Sequence, residues 1–135
     1  MIEALLNHPL AHLILRVVLG VLFVAHGYPK LFKNFGQFAG WLDSMGFKPG
    51  KFWALVAGVV EFFGGILLVL GLWVQVVGIL IAIHMLVAMW KAKWGKVGLT
   101  DQGGWELDLI YLVSALALAM MSGGTHSLDQ FWRGY

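Results

Sequence analysis

The sequence predicts an all-α fold: a transmembrane four-helix bundle with a short amphipathic interfacial helix between spans one and two. Three observations carry this. The chain is 60% hydrophobic and only 12% charged, where an ordinary soluble domain has about 45–50% and 25%. Its mean hydropathy is +0.82. Four apolar runs recur, at about 11–28, 52–70, 73–90 and 106–121, each bounded by polar residues, glycine or tryptophan. A single integral membrane domain over residues 1–135 follows.

The net charge of +2 and pI near 9.1 do not point to nucleic acid, because almost all the lysines flank apolar runs. They read as topology signals and lipid-headgroup contacts. The chain has no cysteine, which excludes disulfides, thiolate metal sites and a thiol relay run by the chain itself. The N-terminus lacks a basic n-region and a small-residue cleavage site, so a cleaved signal is not expected.

Span one covers about Ala11 to Tyr28, with Pro29 expected near its end. Arg16, Gly20, Phe23 and Gly27 recur at helical spacing, a face of small residues and one charge suited to another helix. In the connection that follows, Phe35, Phe38, Trp41/Leu42 and Met45 repeat every three to four residues. They predict an amphipathic helix in the interface, ended by Gly46 and Pro49. Span two carries Ala54, Gly58, Glu61 and Gly65 on one stripe. Gly71 to Val74 is a tight turn into span three, whose histidine face holds Val77, Leu80, His84, Ala88 and Lys91. A polar loop leads to span four, which is shorter than the usual ~20 residues, and Ser122–Tyr135 is a polar tail. Trp53, Trp73, Trp90, Trp94, Trp105 and Trp132 mark the span ends as an aromatic belt.

The connections after spans one and three hold Lys30, Lys33, Lys48, Lys51, Lys91, Lys93 and Lys96, against Arg133 alone on the opposite face. The positive-inside rule therefore puts loops 29–51 and 91–105 in the cytoplasm and both termini outside. A bacterial or archaeal cytoplasmic (inner) membrane is the expected location.

The informative residues are ionisable groups inside the spans, each expensive at roughly 2.5–3.5 kcal/mol near a helix centre and normally turned to a bundle interior or cavity. At ~1.5 Å per residue, His26 lies about 6 Å, His84 about 10 Å and Glu61 about 15 Å from the lysine-rich face, with Arg16 about 15 Å beyond His26. Glu106 opens span four near that same face. Arg16, His26, Glu61, His84 and Glu106 thus predict one polar pocket opening toward the lysine-rich loops. Each has a bland reading beside this one. Glu61 and Arg16 can be a buried ion pair that fixes register. His84 can be a hydrogen-bonded structural histidine, and Glu106 can simply favour its helix dipole. Lys30 is expected to snorkel to the interface, and for His26 snorkelling and pocket are evenly weighed. Asp108 lies about 200° round the helix from Glu106 and is left out of the pocket. His12 is read as solvated.

With these residues placed, the chain resembles the DoxX family of small four-span membrane proteins. The resemblance rests on Leu15-Arg16…Gly20…Phe23…His26-Gly27…Lys30-Leu31-Phe32 and the Phe35–Gly46 stretch. It continues through Gly58…Glu61…Gly64-Gly65…Leu70-Gly71, His84, and Gly103-Gly104-Trp105-Glu106-Leu107 into Tyr111-Leu112. It implies a membrane component of an oxidoreductase system acting with soluble partner proteins in sulfur, thiol or oxidative-stress metabolism. The absence of cysteine means that disulfide exchange would need such a partner.

The leading functional expectation is a redox subunit whose pocket binds a quinone or similar lipid-soluble acceptor. His84 would donate a hydrogen bond and shuttle protons. Glu61 and Glu106 would pass protons to water, and Arg16 would stabilise negative charge. His26, His84, Glu61 and Arg16 would bind the ligand. No metal site is expected, although a haem held by His26 and His84 is an alternative cofactor. A small proton-coupled transporter and a non-catalytic membrane anchor are the other readings. Besides the lipid bilayer and soluble redox partners, glycines on several faces permit a homo-oligomer.

Overall fold

The computed structural model describes residues 8–93, 95, 98–100, 102, 104–121 and 131. It is all-α, with five helices in chain order: α1 His8–Phe32, α2 Phe35–Ser44, α3 Gly50–Leu70, α4 Val74–Ala88 and α5 Glu106–Met121. A turn of π-helix, Met89–Lys93, extends α4. Three stretches are long and apolar enough to cross a membrane: Leu10–Phe32, Gly50–Leu70 and Val74–Lys91. At 23, 21 and 18 residues they rise about 34, 31 and 27 Å, close to the ~30 Å of a hydrocarbon core. The fourth apolar run forms α5, of 16 residues. The polar tail apart from Phe131, and Trp94, Lys96, Trp132 and Arg133, lie outside the described residues.

Helix α1 does not stop at Pro29. The proline lacks the N–H that would reach back one turn, but its carbonyl accepts from Lys33 N–H at 3.0 Å and Asn34 N–H at 2.7 Å. The extra turn is held by packing, because Leu31 lies against Gly58 of α3.

Helices α1 and α3 approach closely through glycine. A Cβ on Gly20 would stand 2.6 Å from the carbonyl oxygen of Gly65, and one on Gly65 would stand 2.6 Å from that of Gly20. The predicted face of α1 is buried here, with Arg16 and Phe23 among the most enclosed side chains of the chain. His12, one turn before Arg16, is buried at 4% exposure. The expectation of a solvated His12 is therefore corrected: a residue four positions from Arg16 shares its face.

A second close pair joins α4 to α5, where Gly78 backs onto the Ala115 carbonyl. Between the pairs, Leu19, Phe23, Leu68, Val74, Val77, Ile81, Met85, Tyr111, Ala115 and Leu118 form the main core. Outward residues on the four longer helices remain apolar, for example Val18, Phe63, Ile79 and Ile110.

Helix α2 spans nearly the predicted residues, and Gly46 ends it with φ +94°. Ala39 and Leu42 pack on Ala54, flanked by Phe35, Phe38 and Phe47. Its Asp43 carboxylate accepts the N–H of Gly50, 2.8 Å away, meeting a donor that the first turn of α3 leaves free.

The turn between α3 and α4 is a Schellman closure. Gly71 N–H donates to the Leu68 carbonyl (3.1 Å) and Leu72 N–H to that of Leu67 (2.9 Å), with Gly71 at φ +73°. Gly71→Ala places a Cβ in that left-handed conformation and is expected to destabilise the protein by about 1–2 kcal/mol. A lowered thermal unfolding midpoint in detergent checks it, with Gly36→Ala, which meets nothing within 4 Å, as the neutral control.

Candidate functional site

Three helices converge on Glu61. Its stripe on α3 turns it inward, to 2% exposure. Its Oε1 accepts from Lys30 Nζ of α1 at 2.8 Å and from His84 Nε2 of α4 at 3.0 Å. A carboxylate only accepts, so the imidazole carries its proton on Nε2 at this contact. Oε2 is equally buried and has no hydrogen-bond partner among the described residues.

A second polar pair sits on the same wall. His26 Nε2 and the Tyr111 hydroxyl of α5 share a hydrogen bond of 3.2 Å, and the Tyr111 ring lies against Phe23 with centroids 4.9 Å apart. Both groups line a cavity of about 480 Å³, together with Lys30, Glu61, His84, Lys91 and Asp108. The rest of the lining is apolar or aromatic: Phe23 of α1, Phe38, Trp41 and Leu42 of α2, Met45 and Phe47 just beyond it, Trp53, Val56, Ala57 and Val60 of α3, Leu80, Ile83, Met85, Val87 and Ala88 of α4, and Leu107 of α5. Lys30 also stands over the Phe38 ring, 5.0 Å from its centroid, so α2 touches the charged cluster directly.

Of the residues expected here, the structure brings together Glu61, His84 and His26. Arg16 is buried elsewhere on α1 and is not part of the cavity wall. Glu61 pairs with Lys30 and His84 rather than with Arg16. Lys30 does not merely snorkel: its long stem carries the ammonium back along α1 to Glu61, leaving its side chain 31% exposed. Glu106 is exposed at the start of α5 and is absent from the cavity wall. The exclusion of two acids from one face holds, but the member facing inward is Asp108, 9% exposed. Its signal lay in the sequence, since Asp108, Tyr111, Ala115 and Leu118 are buried at three- and four-residue spacing. Among the described residues, no group of three or more His, Cys, Asp or Glu side chains is placed to hold a metal ion.

Tyr111→Phe keeps the ring contact with Phe23 and removes the partner of His26. A loss of about 1 kcal/mol is expected, measured as a modest drop in thermal unfolding midpoint, which His26→Phe added to Tyr111→Phe should largely restore.

The chain matches the DoxX family model over residues 11–94. That stretch holds Lys30, Glu61 and His84 but not Asp108 or Tyr111. The chain is 30% identical over 119 residues to the Bacillus subtilis protein named "Putative oxidoreductase CatD", covering 88% of this chain and 84% of the relative. It is 30% identical over 118 residues to an uncharacterized protein of Haemophilus influenzae, covering 85% of each. No solved structure gives a significant match. With the matched stretch covering most of the chain and containing the three helices that meet at Glu61, this protein belongs to the DoxX family.

Proposed function

We propose that the protein is a four-span membrane subunit of an oxidoreductase system and that its cavity binds a quinone or a similar lipid-soluble redox carrier. In this reading α5 crosses the bilayer as the fourth span, and loops 29–51 and 91–105 face the cytoplasm of a bacterial or archaeal cell. The location in a membrane follows from the family and the three long apolar helices. The oxidoreductase role is supported by the name of the Bacillus subtilis relative.

The observation that carries the ligand class is the Lys30–Glu61–His84 cluster on the wall of a cavity that is otherwise apolar and aromatic. A quinone presents two carbonyls on a flat apolar ring and takes up two electrons and two protons on reduction. Lys30 has N–H donors left beyond the one given to Glu61, and Tyr111 offers a hydroxyl, both suited to a carbonyl, while the Nε2–H of His84 is already given to Glu61. Glu61, 2% exposed, sits behind these groups and holds the Lys30 ammonium and the His84 imidazole at the cavity through Oε1. His84 and Glu61 are placed to hand a proton between the cavity and each other. The chain has no cysteine to relay electrons, and in this reading a soluble partner protein supplies them.

Trp41 and Trp53 line the cavity and report on it. Titrating the protein in nanodiscs with a decyl-tailed benzoquinone is expected to quench their fluorescence saturably, and His84→Ala is expected to weaken the binding at least ~10-fold. Quenching that never saturates would overturn the quinone reading. A Soret band in the freshly purified protein would replace it with haem on His26 and His84.

A further inference from the structure

The cavity has an inside and an outside. Phe23, Ala57 and Met85 in its lining are nearly inaccessible, at 1%, 8% and 5%. Other lining residues also stand on the outer surface: Val56 at 37% and Ile83 at 55% exposure, with Val87 beside them. These belong to α3 and α4. The two helices are joined at the Gly71 turn, and Gly64 of α3 faces Val77 and Ile81 of α4, so they are close at that end. From Glu61 and Leu80 onward to Trp53 and Lys91, the space between them is the cavity.

We propose that this gap is a lateral portal from the bilayer, and that the bound ligand is an amphiphile whose long apolar tail leaves the cavity between α3 and α4, past Val56, Ile83 and Val87. The inference rests on the quinone reading of the same site and specifies the ligand further: a head without a tail fills only part of it. The lining residues run from Lys91 to Leu80 along α4, eleven positions or about 16 Å. That distance covers half of a ~30 Å hydrocarbon core. The route therefore reaches from headgroup level to the depth where lipid tails lie. Its outer residues are apolar and continuous with the lipid-facing surface of both helices, so a tail passes from lipid to protein without crossing a polar barrier. The charged groups stay at the inner wall, where a polar head must end.

The test compares a tail-free benzoquinone with the same ring carrying a decyl tail, each titrated against wild type and against Ile83→Trp/Val87→Trp in nanodiscs. Both positions face outward, so indole rings there narrow the gap without entering the core. The double variant is expected to bind the decyl compound about tenfold more weakly while its affinity for the tail-free ring stays within about twofold. Equal loss for both compounds, or loss for neither, would overturn the portal and leave the quinone reading standing. Failure of wild type to bind either compound would overturn both. A decyl benzoquinone with a terminal diazirine gives an independent readout that does not depend on the variant folding. Labelling at Val56, Ile83 or Val87, abolished by excess unlabelled compound, supports the portal. Competable labelling confined to Val18 and Val21 on α1 would overturn it.

Discussion

Glu61→Gln is expected to leave a folded protein that no longer binds the quinone, with affinity reduced by about 100-fold or more. The amide keeps the volume and one carbonyl acceptor, so His84 retains a neutral partner. What disappears is the negative charge that holds Lys30 Nζ at 2.8 Å and His84 Nε2 at 3.0 Å. Charge-assisted hydrogen bonds are roughly twice as strong as neutral ones, and two of them end on this carboxylate. Glu61→Leu separates the structural from the ligand-binding contribution. It leaves Lys30 and His84 facing a largely apolar cavity, and removing one partner of a buried ion pair costs about 3–5 kcal/mol. The lower end applies, because the Lys30 side chain is 31% exposed and can retreat toward headgroups. Unfolding midpoints and quinone titrations of the two variants give the comparison. Glu61→Gln with wild-type affinity would remove Glu61 from the site.

The second large effect is expected at Gly65→Val, which should abolish accumulation of folded protein. A single Cβ there stands 2.6 Å from the Gly20 carbonyl oxygen and 2.8 Å from Val24 N. These are backbone atoms, so no side chain can turn away. The helices must separate, and with them Lys30 from Glu61. Overpacking of a well-packed core costs about 1–3 kcal/mol and sometimes more, and the loss here extends along the whole α1–α3 contact. Membrane-extracted protein measured by fluorescence-detected size exclusion checks it. Gly40→Val, on the open side of α2 with nothing within 4 Å, should behave as wild type.

Much of this molecule was legible because membrane helices write their lengths as apolar runs. The Schellman glycine, the short helix α2 and the glycine face of α1 all follow from local rules. Glu61 and His84 stood out because ionisable groups are rare inside such runs. The errors share a cause. Spacing gives the height of a Cα, and a lysine stem spans several ångströms, so it fixes the backbone of Lys30 and not its ammonium. The choice of Glu106 over Asp108 was a choice of rotational phase. Helix α5 is apolar on nearly every side, and only packing against α4, through Ala115 on Gly78, sets which side faces inward. Arg16 shares the chemistry of the pocket but not its height, lying about 15 Å along the helix from His26.

The order in which the cluster is written also matters for how it is made. Lys30 precedes Glu61 by 31 residues, and His84 follows 23 later. At about 5–20 residues per second of synthesis, the ammonium waits about 2–6 s for its counterion. It waits at the polar end of α1, where its stem can hold it among headgroups. A carboxylate made first, at the depth of Glu61, would have no such refuge. The chain order puts the group that can wait at the surface before the one that cannot, so that Lys30 is already made when Glu61 is synthesised.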